Sequence, residues 1–342
     1  MDYLYDFLLF LAKSITLIGA VVLGVVVIVL AAAKQKGKKG HLECEDLSAE
    51  YQQSCAQLEA HLLPEARRKQ LAKEKKKEAK ARKSLPETMM AARLFVIDFK
   101  GSVDAKEVVA LREEVTAVLA IAKPEDEVLV RVESGGGVVH GYGLCASQLQ
   151  RIRDRGIRLT VAIDKVAASG GYMMACVAQH IVAAPFAIIG SIGVVAQLPN
   201  FHRLLQKHDI DFEQHTAGQY KRTLTLFGEN DEAGREKFRE ELESIHRQFK
   251  QFVAEHRPRV DIDRVATGEH WLATEAMALN LVDELKTSDD YLQQYYLQRQ
   301  VIRLHFKQPK RLGDRFAQQA AVFFVHGIES ILQRIRSPFQ GG

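Results

Sequence analysis

Hydrophobic and polar positions divide this chain into three regimes. From Ile15 to Ala33 run 19 residues without a charge, and further apolar positions precede them from Phe7, interrupted by Lys13. A stretch of that length crosses a hydrocarbon core as a helix. The acidic start (Asp2, Asp6) and the length of the run argue against a cleaved secretory signal. Residues 1–33 are therefore expected to anchor the chain in a membrane, with lipid contact through residues 7–33. Residues 34–88 are different. Lys34, Lys36, Lys38 and Lys39 follow the anchor, and Glu65 to Lys83 holds ten basic against three acidic residues. Good helix formers with almost no apolar stripe read as a solvated helical or disordered stalk. A strip for anionic lipid headgroups is the sharper alternative.

The third regime opens after Ser84-Leu85-Pro86, where short apolar runs alternate with amphipathic stretches. Leu94–Phe99, Glu127–Val132 and Leu159–Ile163 read as strands. Lys106–Ile121, Val138–Arg155 and Gly170–Gln179 read as helices. This alternation predicts βαβ units on a parallel sheet, an α/β fold spanning residues 89–297. A long polar helix over Asp231–His256 follows, then a smaller helical region. Val166 to Leu198 is apolar enough to imitate a second membrane span, but Gly170-Gly171, Gln179-His180, Pro185, Gly190 and Gly193 cut it into pieces suited to buried strands and one buried helix. In the tail, 298–342, the apolar positions from Phe316 to Leu332 recur at helical spacing and predict a packing or assembly helix.

Composition narrows the function classes. The chain has 342 residues, a net charge of only +4, and four cysteines, Cys44, Cys55, Cys145 and Cys176, none in a Cys-x-x-Cys pair. Neither a disulfide framework nor a zinc site is indicated. No metal or cofactor is expected, and nucleic acid is a remote third choice as partner of the basic stalk. By the positive-inside rule, the lysines after Ala33 would keep everything that follows in the cytoplasm.

Candidate chemistry centres on three segments. Ser169, in Ala168-Ser169-Gly170-Gly171-Tyr172, lies at a strand–loop–helix junction that can expose a hydroxyl; an ordinary N-cap serine fits the same position. Glu133-Ser134-Gly135-Gly136-Gly137 sits between a strand and a helix, where glycines let backbone N–H groups approach a ligand. A phosphate loop is a poor fit there, because no Gly-Lys-Ser/Thr follows; a plain tight turn fits as well. Lys221, in Gly218-Gln219-Tyr220-Lys221, serves as a base for serine if burial lowers its pKa. His140, His180, His202, His208 and His215 compete for that role, although no Gly-x-Ser-x-Gly elbow is present.

Taken in order, Glu133–Gly137, Ala168–Tyr172, Gly190-Ser191-Ile192-Gly193-Val194 and Gly218–Lys221 resemble the signal peptide peptidase A family of serine–lysine proteases (peptidase family S49), closest to its inner-membrane branch. Ala266-Thr267-Gly268 through Leu281-Val282-Asp283-Glu284-Leu285 adds to the likeness, which covers about residues 90–290. The resemblance implies a ClpP/crotonase-like fold, Ser169 as nucleophile, Lys221 as general base 52 residues on, and Gly136 and Gly170 as backbone oxyanion donors. It implies peptide or protein substrates, no cofactor, a homo-oligomer, and a bacterial inner-membrane location with the catalytic domain in the periplasm, against the lysines. The family's loop is usually Asn/Asp-Ser-Pro-Gly-Gly; here Glu133 and Gly135 replace its first residue and its proline. A crotonase-like acyl-thioester enzyme and a non-catalytic membrane scaffold are the competing readings.

Overall fold

The computed structural model describes residues 40–64 and 92–308, with Thr16 and Arg67. The chain divides into two compact units, Leu42–Phe306 and the remainder. The expected anchor and the expected helix from Phe316 to Leu332 lie outside the described residues. Among the described residues no helix is long and apolar enough to cross a membrane.

Residues 42–306 are built on a seven-stranded sheet of order β1-β10-β2-β3-β4-β6-β9. Its centre comprises β2 (Leu94–Lys100), β3 (Glu127–Glu133), β4 (Arg158–Ile163) and β6 (His180–Ala183), and every one of these neighbours is parallel. Parallel strands joined by helical crossovers are covered on both faces, so they read as continuous apolar runs. The first four residues of both β2 and β3 are accordingly buried. Side chains alternate between faces along each strand. Phe95, Ile97, Phe99, Val128, Val130 and Val132 enter the larger core, with Leu111 and Val115 of α2 (Val108–Ile121) and Leu149 and Ile152 of α3 (Val139–Asp154). Leu94, Val96, Leu129 and Ala162 face the other way, toward Leu47, Tyr291 and Leu292.

That second layer corrects the expected domain limits. Residues inside the presumed stalk form β1 (His41–Asp46) and α1 (Leu47–Leu62), and residues of the presumed tail form β10 (Val301–Lys307), which pairs in parallel with β2. The Ser48 hydroxyl donates to the Arg299 carbonyl at 3.1 Å and accepts from Val301 N–H at 2.8 Å. Tyr51 stacks on Tyr296 with ring centres 4.6 Å apart. Asp46 caps α1 through Ala49 N–H and also accepts from Gln300. Both ends of this unit therefore complete one sheet.

The apolar stretch after Val166 is broken as expected, into β5 (Val166–Ala168), α4 (Gly170–Ala175), β6 and β7 (Ile188–Gly190). The helix is shorter than its apolar run, because the chain turns at Cys176 into the approach to β6. Strands β5 and β7, with β8 (His270–Leu272), make a second, three-stranded sheet. Next come α5 (His202–Lys207), α6 (Glu232–His256), α7 (Ile262–Val265), α8 (Ala273–Ala278), β9 (Glu284–Leu285) and α9 (Ser288–Gln293).

Candidate active site

The small sheet joins the large one where β3 ends. Ser134 bridges Ala167: its N–H donates to Val166 O at 2.9 Å, and its carbonyl accepts from Ala168 N–H at 3.0 Å. This junction brings the glycine loop beside Ser169. Ser169 is itself fixed by two backbone bonds, its N–H to Gly190 O at 2.8 Å and its carbonyl from Met173 N–H at 2.9 Å. Its φ of 52° and ψ of −118° are rare for a residue with a side chain. Holding a non-glycine residue there costs about 1–3 kcal/mol, a strain that collects at functional sites. The N-cap alternative does not hold, since the Ser169 side chain makes no capping hydrogen bond.

Gly136 lies directly against this serine. Its φ is +90°, and a methyl group on it would lie 2.7 Å from both Gly170 N and Ser169 Cβ. Ser169, Gly170 and Gly136, picked out on separate motifs, thus form one cluster. The N–H of Gly136, expected as an oxyanion donor, donates to Ser134 Oγ at 3.1 Å. Among the described residues, the N–H groups of Gly137 and Gly170 have no acceptor.

Beneath the cluster lies Tyr142, fully buried, which the sequence reading passed over. Its hydroxyl is 2.5 Å from Ser134 Oγ and donates to Ser102 O at 2.8 Å. The 190–194 and 266–268 motifs meet as well. Gly268 N–H donates to Ile192 O, and Ser191 N–H donates to Glu269 O. Ser191 shares the positive φ of Ser169, at 52°.

Lys221 is not part of this cluster within one chain. It is exposed, its N–H closes a turn onto Gly218 O at 3.1 Å, and no hydrogen bond joins it to Ser169 among the described residues. The expected burial among apolar neighbours is therefore absent in the single chain. The segment around it is locally ordered: Phe227 packs against Phe201 and Phe212, and the Lys237 ammonium sits over the Tyr220 ring. Val195, Leu204, Ile210, Phe212 and Tyr220 nonetheless remain exposed along it. The competing histidines go elsewhere. His180 pairs with Glu284 at 3.2 Å, His215 with Glu213, and His140 is exposed.

Ionisable groups near the cluster hold it structurally. Arg257 grips Asp283 through two bonds of 2.7 and 2.8 Å and also donates to Asn280 O. Burial alone would raise the Asp283 pKa, but Arg257 and the Ile181 N–H outweigh it and hold the carboxyl below its usual value. Tyr172, three residues after Ser169, donates to Leu281 O in the same region at 3.0 Å. Burial pushes the thiols of Cys145 and Cys176 up to about 12, so neither offers a thiolate nucleophile.

Comparison with known proteins places the chain in a family. The N-terminal domain of peptidase family S49 matches residues 2–149, and peptidase family S49 itself matches residues 151–301. The match extends well beyond the 90–290 reach of the motifs. A probable protease SohB of Haemophilus influenzae is 48% identical over 339 residues, covering 95% of this chain and 96% of that protein. Another, from Buchnera aphidicola subsp. Schlechtendalia chinensis, is 47% identical over 303 residues, covering 85% and 99%. A putative protease of Methanocaldococcus jannaschii is 30% identical over 168 residues, covering 48% and 53%.

Proposed function

Since the chain belongs to peptidase family S49, we propose that this serine peptidase is a membrane-anchored endopeptidase with Ser169 as nucleophile and Lys221 as general base. The observation that carries the reading is the strained backbone of Ser169, whose side chain makes no capping bond and against which Gly136 is packed. Neutral Lys221 takes the Ser169 proton as Oγ attacks a peptide carbonyl carbon. The resulting oxyanion is held by the N–H of Gly170 and an N–H of the glycine loop, Gly137 taking the place expected for Gly136. The lysine then gives its proton to the departing amine. Lys221, neutral again, takes a proton from water, which attacks the acyl carbon; the acyl group leaves as a carboxylic acid and Lys221 returns the proton to Ser169 Oγ.

A base of this kind needs a neutral amine, and removal from water favours the neutral form of lysine. Lys221 is exposed in one chain, on a segment lined with exposed apolar side chains. This supports a homo-oligomer in which a second copy covers that segment. The uncharged run from Ile15 to Ala33 supports a single membrane span, and the substrates we infer are membrane-derived peptides or misfolded proteins. The catalytic domain is assigned to the periplasmic side of the bacterial inner membrane, against the charge of Lys34–Lys39.

The test is casein cleavage by the full chain in detergent, comparing wild type with Ser169→Ala and Lys221→Ala. Loss of cleavage in both folded variants is the expected result. Cleavage retained by Ser169→Ala would move the nucleophile elsewhere. An assembled wild type that cleaves nothing would favour a scaffold.

A further inference from the structure

The glycine loop is tied to the protein interior by a chain of three hydrogen bonds whose direction can be assigned. Tyr142 has one hydroxyl proton and donates it to the Ser102 carbonyl at 2.8 Å. At the 2.5 Å contact between Tyr142 and Ser134, the proton must then come from Ser134. Ser134 Oγ in turn accepts the Gly136 N–H at 3.1 Å. Each link thus donates to the next, from Gly136 through Ser134 and Tyr142 to Ser102. Both central side chains are sealed from water, Tyr142 at 0% and Ser134 at 2% exposure. Ser102 is held from outside by Glu107, whose carboxylate accepts from both its N–H and its hydroxyl at 3.0 Å. The Tyr142 ring also forms the floor under Gly170, where an added methyl would lie 2.7 Å from Tyr142 Cδ2. One side chain therefore touches both backbone segments from which the oxyanion donors are drawn.

We propose that Tyr142 and Ser134 are positioning residues for the oxyanion site. They hold the Gly136 N–H inward and so anchor the loop from which the Gly137 N–H projects, and they supply the rigidity that a proline at position 135 would otherwise give. Planarity fixes the peptide that carries the Gly136 N–H, and the close packing of Gly136 at φ +90° against Gly170 N and Ser169 Cβ limits the rotation that remains before the next amide. Burial raises the Tyr142 pKa, so the phenol keeps its proton and the chain its direction across neutral pH. This inference rests on Ser169 as the nucleophile, and its test separates the two claims.

Tyr142→Phe and Ser134→Ala each remove only an oxygen. Kinetics on a fluorogenic peptide and the rate of fluorophosphonate labelling are measured on the full chain in detergent, alongside its melting temperature. The expected result is a fall of about tenfold to a hundredfold in kcat and in labelling rate, with KM within about twofold, because an oxyanion contact acts mainly in the transition state. The double variant should be no slower than the worse single one, as expected for two members of one chain. Tyr142→Phe or Ser134→Ala that folds and keeps full kcat would overturn the proposal, as would a rise confined to KM or fully multiplicative losses. If Tyr142→Phe does not fold, Ser134→Ala carries the same criterion, since its Cβ and backbone are unchanged. Ser169→Ala is the control. Labelling that survives it defeats the nucleophile assignment, whereas labelling lost in Ser169→Ala but undiminished in the network variants defeats only the positioning role.

Discussion

Gly136 and Ser169 meet so closely that a methyl group on the glycine would lie 2.7 Å from the serine Cβ. Two loops more than thirty residues apart in sequence are thus interlocked at the reacting hydroxyl, and the position tolerates no side chain. Gly136→Ala faces both this clash and a φ of +90°. We expect it to lower fluorophosphonate labelling by about a hundredfold or more and stability by about 1–3 kcal/mol. Labelling rates and thermal melts check the two effects separately. A labelling rate like that of wild type would mean the contact has no bearing on the site.

Lys221 is exposed in the single chain, so the general-base role proposed for it makes activity depend on assembly. Specific activity should fall on dilution below the concentration at which copies associate, and a sizing experiment over the same range should follow it. A rate that does not change on dilution would contradict this role for Lys221.

The clasp between Ser48 and the Arg299–Val301 backbone sets where the chain can be shortened. Removing residues 1–39 leaves β1 and α1 in place and should preserve the melting temperature of the catalytic unit. Removing residues 1–64 deletes Leu47 from the second core and strips β10 of its neighbour, which should cost about 2–5 kcal/mol. Calorimetry on the two truncations distinguishes them.

Much of this fold was legible because buried parallel strands carry continuous apolar runs: β2, β3 and β4 were placed within a residue or two. β1 and β10 were not. His41–Asp46 has only Leu42 and Cys44 as apolar residues, in a lysine-rich neighbourhood, and Val301–Lys307, although it alternates apolar and polar residues from Ile302, lies beyond the last motif. Ser169 and Gly136 lie in separate local motifs, and the contact between them follows from the junction of the two sheets, which no local pattern records. The role proposed for Tyr142 depends on partners 8 and 40 residues away and leaves no local pattern. Lys221 stands out as a motif residue, but its environment depends on what packs over an exposed segment, which periodicity does not encode.

Asp283 supplies an acid-sensitive link between Arg257 and the start of β6. Its folded pKa is held below the unfolded value of about 3.9. Its stabilisation is therefore present above that pH and is lost as pH falls through the folded value. Asp283→Asn should cost about 2–3 kcal/mol at neutral pH, less than the 3–5 of a fully buried pair. The difference from wild type should shrink below about pH 4. Denaturant unfolding at two pH values checks the sign; a penalty that grows in acid would contradict it.

The most direct test of the central claim is to locate the adduct left by a fluorophosphonate on the full-length protein. Cleavage after Lys165 and Arg203 gives one tryptic peptide holding both Ser169 and Ser191, the two serines with positive φ among the described residues. Fragmentation of that peptide by mass spectrometry should place the phosphonyl group on Ser169, with labelling abolished in Ser169→Ala and strongly reduced in Lys221→Ala. An adduct on Ser191, or on a serine outside this peptide, would contradict the assignment of the nucleophile.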